Sequence, residues 1–325
     1  MQVAILSART GWHTSELCRA LAERGHSGVV LPYQQLLARL GGTDSPGPGP
    51  RRAASFGAQG RDGLRPGELR SAGLPLFAAD AVLARIIPAG SLEQIIYRVD
   101  ALHWIEERGV PVMNSPRAIE RTVDKFYTDA LLTDAGLPTP PTVVCESIDD
   151  AVDAVRDMGA VVIKPIFGSM GHGLVRLDDP DTAWRVLRAL AQVQSVFYVQ
   201  QAIEHGGRDV RAFVCGGRVL AAIERIAPPG EWRSNVSRGA TARPMTLPSS
   251  WEALAVRAAA VVGADYAGVD LLPSGDGDPF VLEVNGIPGW EGLQAATGID
   301  VAGALVDQLM VKIRAQRSPS QELTP

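Results

Sequence analysis

Val269-Asp270-Leu271-Leu272 and Phe280-Val281-Leu282-Glu283-Val284-Asn285 are apolar runs interrupted by acids, joined by the turn-forming stretch Pro273-Ser274-Gly275-Asp276-Gly277-Asp278-Pro279. The composition reads as the two arms of a β-hairpin. Folding the arms symmetrically about Asp276 and Gly277 sets Asp270 opposite Glu283, and the two-residue period of a strand puts Asn285 on the face of Glu283. Carboxylates opposed across a ladder repel one another and disfavour the hairpin. A hard divalent cation reverses that sign, because carboxylate and amide oxygens are the ligands Mg²⁺ takes beside substrate phosphates. A solvated acidic face is the plainer reading of a lone Asp or Glu, but acids set inside strongly apolar runs argue against it.

Around this hairpin the chain has ordinary globular chemistry, with 46% hydrophobic residues, 21% charged residues and a net charge of −5. The acidic balance argues against a nucleic-acid groove as the main binding surface. Cys18, Cys145 and Cys215 are widely spaced and odd in number. They offer neither a disulfide framework nor a zinc site, suit a reducing compartment, and read as small buried hydrophobes. No leader-like basic and apolar run precedes Val3-Ala4-Ile5-Leu6, and no run approaches the ~20 apolar residues of a membrane span. The expectation is a cytoplasmic protein without a membrane partner.

Upstream, residues 3–42 read as strand–helix–strand–helix: Val3 to Leu6, Ser15 to Arg24 with Gly25 as its stop, Val29-Val30-Leu31, then a second helix. Ser7-Ala8-Arg9-Thr10-Gly11 holds one glycine, so the dinucleotide fingerprint is missing and a nicotinamide dehydrogenase is disfavoured. From Gly41 to Gly73 the composition turns to Gly, Pro, Ser and Arg, which predicts a mobile insertion or long surface loop, a solvated linker rather than an anion-binding arm. A helix is expected over Leu92 to Arg108. Another starts at Ser115-Pro116 and runs to Gly136, burying a stripe of Ile119, Val123, Phe126, Tyr127, Ala130 and Leu131, with Lys125 projecting elsewhere. Ile148 to Met158 is helical, short strands and turns follow through Ile226, and Trp251 to Val262 is helical again. Asp300 caps a last amphipathic helix through Ile313, and the tail from Ser318 frays.

Two further segments carry chemistry. Val161-Val162-Ile163-Lys164 reads as a strand ending in a cation, followed by Phe167-Gly168-Ser169-Met170-Gly171-His172-Gly173. Glycines there let backbone N–H groups approach phosphate oxygens. The loop joins two strands and lacks Gly-Lys-Ser/Thr, so it is no Walker loop, and alone it reads equally well as a hairpin tip. The second is Arg208-Asp209-Val210-Arg211, a Cys215-Gly216-Gly217-Arg218 turn, and Ile223-Glu224-Arg225, with Arg233-Ser234-Asn235 and Arg238-Gly239 beyond. Arginines on adjacent strands can hold carboxylate or phosphate bidentately. Most arginines are surface residues, but Arg225 ends an apolar strand.

In this order the motifs resemble the ATP-grasp carboxylate–amine ligases, over about Ala81 to Ile313, and within them the RimK-type and coenzyme glutamate ligases. Asn114-Ser115-Pro116, Asp124-Lys125, Lys164 with its glycine loop, Arg208 to Arg211, Ile223 to Arg225, Arg233 to Asn235 and Leu282 to Asn285 carry the likeness. The resemblance implies an α/β (α+β) ATP-grasp fold: an N-terminal α/β pre-ATP-grasp lobe over 1–114, then two α+β lobes clasping ATP, 115–200 with the glycine loop and 201–317 with the metal site. It implies Asp270, Glu283 and Asn285 as ligands of two Mg²⁺ ions, with Mn²⁺ able to substitute. Lys125, Lys164 and the loop residues Gly168, Ser169, Gly171 and Gly173 would meet the ATP phosphates, and Asp209 the ribose. Arg233, Ser234 and Asn235 would lie near the phosphates, and the catalytic Arg225 and Arg238 near an acyl phosphate. Adenine would lie on backbone groups of Gln201 and Ala202, where the family often has an acid followed by an aromatic residue.

Ile87 to Gln94 looks most like the ligases that attach L-glutamate to tetrahydromethanopterin-type coenzymes. The partners so implied are L-glutamate and a carboxylate-bearing coenzyme precursor, with no nucleic acid, and assembly into a homo-oligomer stays open. A ribosomal protein C-terminus, a carrier peptide and a deazaflavin coenzyme are the alternative acceptors. A degenerate nucleotide sensor is the non-enzyme alternative, disfavoured because all three metal-ligand positions are filled.

Overall fold

β1 (Gln2–Ser7) is the beam of the N-terminal lobe, and its alternating side chains feed different cores. A computed structural model describes residues 1–41, 66–168, 173–231, 233, 239–275 and 279–317. After β1 come α1 (Trp12–Glu23) and β2 (Ser27–Pro32), and β2 pairs in parallel with β1 from Gln2↔Ser27. The predicted second helix is absent. A single 3₁₀ turn, Tyr33–Gln35, leads instead into β3 (Leu36–Arg39), which pairs with β4 (Glu68–Ser71), itself paired with β5 (Leu74–Pro75). The expected loop over Gly41 to Gly73 therefore ends early: Leu69 and Ser71 are fully buried, and Leu69 packs in a core with Leu31, Leu74 and Leu76. The rest of that stretch, 42–65, lies outside the described residues, as does the tail from Ser318. β6 (Ala81–Ala84), α2 (Leu92–Glu107) and β7 (Val112–Met113) complete a parallel sheet of order β2-β1-β6-β7.

The long helix expected after Ser115 is broken. α3 (Pro116–Val123) stops at Asp124, whose extended backbone and side chain, accepting from Tyr127 N at 3.0 Å, cap α4 (Lys125–Asp134). An aspartate that offers the backbone a cap outcompetes the helical path. The break resets the helical phase, so Val123, Phe126 and Tyr127 are exposed while Thr128 and Leu132 are buried.

β8 (Thr142–Cys145), α5 (Ile148–Met158), β9 (Val161–Lys164), β10 (Val175–Leu177), α6 (Pro180–Gln192) and β11 (Phe197–Gln201) build the central lobe, its sheet ordered β10-β9-β11-β8. α6 stands where only strands and turns were expected, capped by Asp179, which accepts from Thr182 N at 2.8 Å, with Pro180 in its first turn. One sheet face, with Ile163, Phe197 and Val199, packs on α5 and α6 as a separate core.

β12 (Arg208–Cys215), β13 (Arg218–Ile226), β14 (Thr241–Pro244), α7 (Ser249–Val262), β15 (Tyr266–Leu272) and β16 (Phe280–Asn285) form the C-terminal lobe, a sheet ordered β14-β13-β12-β15-β16. Leu132 from α4 and Leu137 pack in its core with α7. α8 (Glu291–Thr297) and α9 (Val301–Arg317) close the chain; Asp300 caps α9 through Gly303 N at 3.1 Å, and α9 runs past Ile313. Val3, Ile5 and Met113 share one core with Phe213, Tyr266, Trp290 and α9, so the N- and C-terminal lobes are cored together. Asn114, fully buried, staples that junction: its amide donates to Tyr266 O at 2.7 Å and Gly286 O at 2.5 Å and accepts from Asp265 N at 2.7 Å and Tyr266 N at 3.1 Å. Among the described residues no helix is long and apolar enough to cross a membrane.

Candidate active site

At the acids the hairpin register is the one its sequence predicts, and nearer the turn it is shifted by one residue, Leu271 pairing with Val281. Asp270 pairs with Glu283 across β15 and β16, with a bulge immediately after Asp270. Asn285 shares that face: with its amide turned so that both ends find partners, Nδ2 donates to Glu283 Oε1 at 3.2 Å and Oδ1 accepts from Arg211 Nη2 at 3.1 Å.

Arginines relieve part of the repulsion that calls for a cation. Arg211 lies opposite Asp270 on β12 and grips it with Nε on Oδ1 and Nη2 on Oδ2, the latter at 2.8 Å; Arg225 Nη2 adds a contact to Oδ2 at 3.0 Å. Arg225 is in turn gripped by Asp209, its register partner, through Nε–Oδ1 and Nη2–Oδ2, both 2.6 Å. Acids and arginines thus alternate along one buried face as Asp209, Arg225, Asp270, Arg211. Burial alone would raise the Asp270 carboxyl, but Arg211 and Arg225 outweigh it and hold it below the usual carboxylate range. Burial alone would likewise lower the Arg225 guanidinium, and Asp270 and Asp209 override it. Buried arginine–carboxylate forks of this kind fix geometry as well as charge.

The hairpin residues still fit a cation. Glu283 and Asn285 supply hard oxygen donors, and Asp270 keeps one lone pair beyond its arginine contacts. Among the described residues no three His, Cys, Asp or Glu side chains gather as a closed metal cage. An ion held here would complete its shell with phosphate oxygens and water, the habit of Mg²⁺.

The lysines arrive from two lobes, because α4, expected with the glycine loop in the lobe over 115–200, packs through Leu132 in the C-terminal core instead. Lys125 is the first residue of α4 and reaches the glycine loop, donating to Gly168 O at 2.8 Å and Ile166 O at 3.3 Å. Lys164 ends β9 and donates to Gln200 Oε1 at 2.5 Å. Burial lowers both ammonium groups, Lys164 to about 8, with Glu283 and Asp129 opposing the shift in each. Lys125, Asp129 and Glu283 line one small depression with Thr122, Thr128 and Leu282.

Other expected residues divide. Gly173 has φ +74° and Cβ room only 3.3 Å from Pro165, so glycine is required there, and a Cβ on Gly168 would meet Pro165 at 3.1 Å. Ser169, Gly171, Ser234, Asn235 and Arg238 lie outside the described residues. Arg233 forks onto Glu231 at 2.8 and 2.7 Å. Gln201 N and Ala202 N already donate to Pro141 O and Ala160 O, both at 2.8 Å, so those N–H groups are engaged within the lobe. Asp209 gives both oxygens to Arg225.

Sequence reasoning missed Arg211 as a site residue, although its two-residue offset from Asp209 on one strand placed it on the same face. It also missed Asp129, Tyr198 and Gln200. Their signal, an i,i+4 step from Lys125 and a cross-strand position beside Lys164, becomes legible only once the α4 start and the β9–β11 register are known.

A family model described as a RimK-like ATP-grasp domain matches residues 122–309. The chain is similar to the tetrahydromethanopterin:alpha-L-glutamate ligase of Methanosarcina acetivorans, at 36% identity over 258 residues that span 71% of this chain and 79% of that protein. It is similar to a probable alpha-L-glutamate ligase of Azotobacter vinelandii at 38% identity over 313 residues, 95% of each. Among solved structures, the ATP-grasp ligase PsnB complexed with minimal precursor, Mg and ADP superposes with a TM-score of 0.69 at 22% identity, over 96% of this chain and 98% of that one, a likeness of fold. The expected ATP-grasp architecture is borne out, and the chain belongs to the RimK-like ATP-grasp family and is an ATP-grasp ligase.

Proposed function

We propose that this ligase joins the carboxylate of an acceptor to the α-amino group of L-glutamate at the expense of ATP, with Mg²⁺ at Glu283, Asn285 and Asp270. The observation that carries the reading is the convergence of Lys125 and Lys164, from different lobes, on the acidic face of Glu283. A triphosphate with its divalent ion asks for that combination of cations and hard oxygen donors.

In this reading an acceptor carboxylate oxygen attacks the γ-phosphorus and the bond to ADP breaks, leaving an acyl phosphate. The glutamate nitrogen then attacks the acyl carbon, phosphate departs with the C–O electron pair, and the amine proton passes to solvent. The bound ion would neutralise phosphate charge. The chain's own residues position: Lys125 and Lys164 hold the phosphates, and by the family likeness the glycine loop would cover them. By the same likeness Arg233, Ser234 and Asn235 would flank the phosphates, and Arg238 would hold the acyl phosphate. Arg225, which the resemblance assigns to the acyl phosphate, is engaged by Asp209 and Asp270, and its role in this reading is to hold Asp270 at the metal face.

The acceptor we favour is a pterin-linked carboxylate of the tetrahydromethanopterin type, supported by the named activity of the Methanosarcina relative. The test incubates the protein with ATP, Mg²⁺, L-glutamate and a panel of pterin, deazaflavin and ribosomal-tail peptide acceptors, read by mass spectrometry and ADP release. One glutamate increment on the pterin with stoichiometric ADP is expected, and Glu283→Gln should abolish ADP release with the fold retained. An increment confined to a peptide or deazaflavin overturns the acceptor assignment. Absence of ADP release with every acceptor overturns the glutamate reading.

A further inference from the structure

The sheet of the central lobe has two unlike faces. Ile163, Phe197 and Val199 pack inward against α5 and α6. The opposite face is polar: Tyr198 is the register partner of Lys164, and Gln200, two residues on, is the partner of Val162 on β9 and of Thr142 on β8. Tyr198 and Gln200 are nonetheless buried, and the Tyr198 hydroxyl meets Asp129 of α4, the helix whose Leu132 packs in the C-terminal core. On α4, Lys125 and Asp129 stand at i and i+4 and share a helix face.

One unbroken chain of hydrogen bonds joins the two sides. Lys164 Nζ donates to Gln200 Oε1 at 2.5 Å, Gln200 Nε2 donates to Tyr198 OH at 3.1 Å, and the Tyr198 hydroxyl donates to Asp129 Oδ2. Gln200 Nε2 also donates to Thr142 Oγ1 at 3.0 Å. Donor directions are fixed throughout. An ammonium can only donate, so Gln200 must turn its oxygen to Lys164 and its NH₂ to Tyr198; Tyr198 then has its proton free for an acceptor-only carboxylate. The Lys164 ammonium lies 5.8 Å from the Tyr198 ring centroid, so the ring also limits where the cation can rest.

We propose that Asp129 and Tyr198 are a positioning pair that sets the spacing of Lys125 and Lys164 for the nucleotide phosphates. This rests on the nucleotide reading of the site given above. Lys125 rides on the helix that carries Asp129, and Lys164 is tied through Gln200 to Tyr198, so the Tyr198–Asp129 bond links the two cations through side chains, beside the bonds Lys125 itself makes to Ile166 O and Gly168 O. Neither residue of the pair needs to touch the nucleotide. Buried networks of this kind hold one geometry when their members are hydrogen-bonded to one another, as Lys164, Gln200, Tyr198 and Asp129 are.

The test measures MgADP affinity by calorimetry, KM for ATP and for glutamate, and the thermal midpoint without nucleotide, in the wild type, Tyr198→Phe, Asp129→Asn and the double variant. Tyr198→Phe keeps the ring and removes the tie. It should weaken MgADP binding and raise KM for ATP about tenfold, as expected for loss of one hydrogen bond to a charged group, and leave KM for glutamate within about twofold. Asp129→Asn keeps an acceptor for the hydroxyl and should retain most of the affinity, and the double variant should be no weaker than Tyr198→Phe, since both act through one bond. Lowered thermal midpoints with unchanged MgADP affinity would make the pair merely structural and overturn the proposal. A wild type that fails to bind MgADP removes the nucleotide reading itself; a wild type that binds, with Tyr198→Phe binding equally well, removes only the positioning pair.

Discussion

At Lys164 chemistry and environment pull against each other. Its ammonium is brought down to about 8 by burial, with Glu283 and Asp129 opposing. In the folded chain it therefore holds fewer protons than in the unfolded chain from about 8 up to its ordinary value near 10.5, so this group's contribution to stability rises with pH across that window and its charge costs stability below it. Phosphate oxygens would favour the charged form and pull the pKa back up. Nucleotide binding should then take up close to one proton at about pH 9 and almost none at about pH 6.5, and affinity should fall by up to about tenfold per pH unit above 8. Calorimetry in buffers of different protonation enthalpy measures the uptake, and Lys164→Arg, which cannot titrate, should abolish it. Uptake unchanged in that variant would place the linked proton elsewhere. At this scale the sequence was legible where a period fixes a neighbour: Asp270 opposite Glu283 follows from the turn and the pleat. It was illegible where burial comes from another lobe, as for Asp129, and it did not show that Arg211 and Arg225 also neutralise Asp270, because they reach it through strand pairings that no local pattern encodes.

Among the elements, β4 shows how composition misleads. Glycine, proline and arginine dominate its approach, yet Leu69 sits with no exposed surface beside Leu31, Leu74 and Leu76. Leu69→Ala should cost about 2–4 kcal/mol, the usual loss for a buried leucine, seen as a lower urea midpoint with KM for ATP unchanged, since the site lies in other elements. A loss below about 0.5 kcal/mol, the size of a surface substitution, would return β4 to the surface loop. α6 was the opposite case. Its Asp179-Pro180 start and the spacing of Ala183, Val186, Leu187, Leu190 and Ala191 carry a plain helical signal that a reading fixed on strands passes over. The break between α3 and α4 was harder, because Asp124 as a helix-interior residue and Asp124 as a cap differ only in which local hydrogen bond wins.

Across the whole molecule, the cores define two bodies. The N- and C-terminal lobes share Val3, Ile5, Phe213, Tyr266, Trp290 and α9, whereas β8 to β11 keep their own core with α5 and α6. Amides of β8, β9 and β11 should therefore exchange through an opening of lower free energy than those of β1, β12 and β15, which should exchange only with global unfolding. One common opening energy across all these strands would show a single cooperative unit. Broad architecture was legible because motif order survives such packing; the grouping of lobes into bodies was not, since it depends on which face of β1 meets which partner. The division also changes what Lys125 and Lys164 are. They are fixed to separate bodies and meet at one place, so nucleotide affinity acts as a ruler of the gap between those bodies: a substitution far from any phosphate that tilts one body against the other will register first as a change in ATP affinity, before stability or glutamate binding has moved.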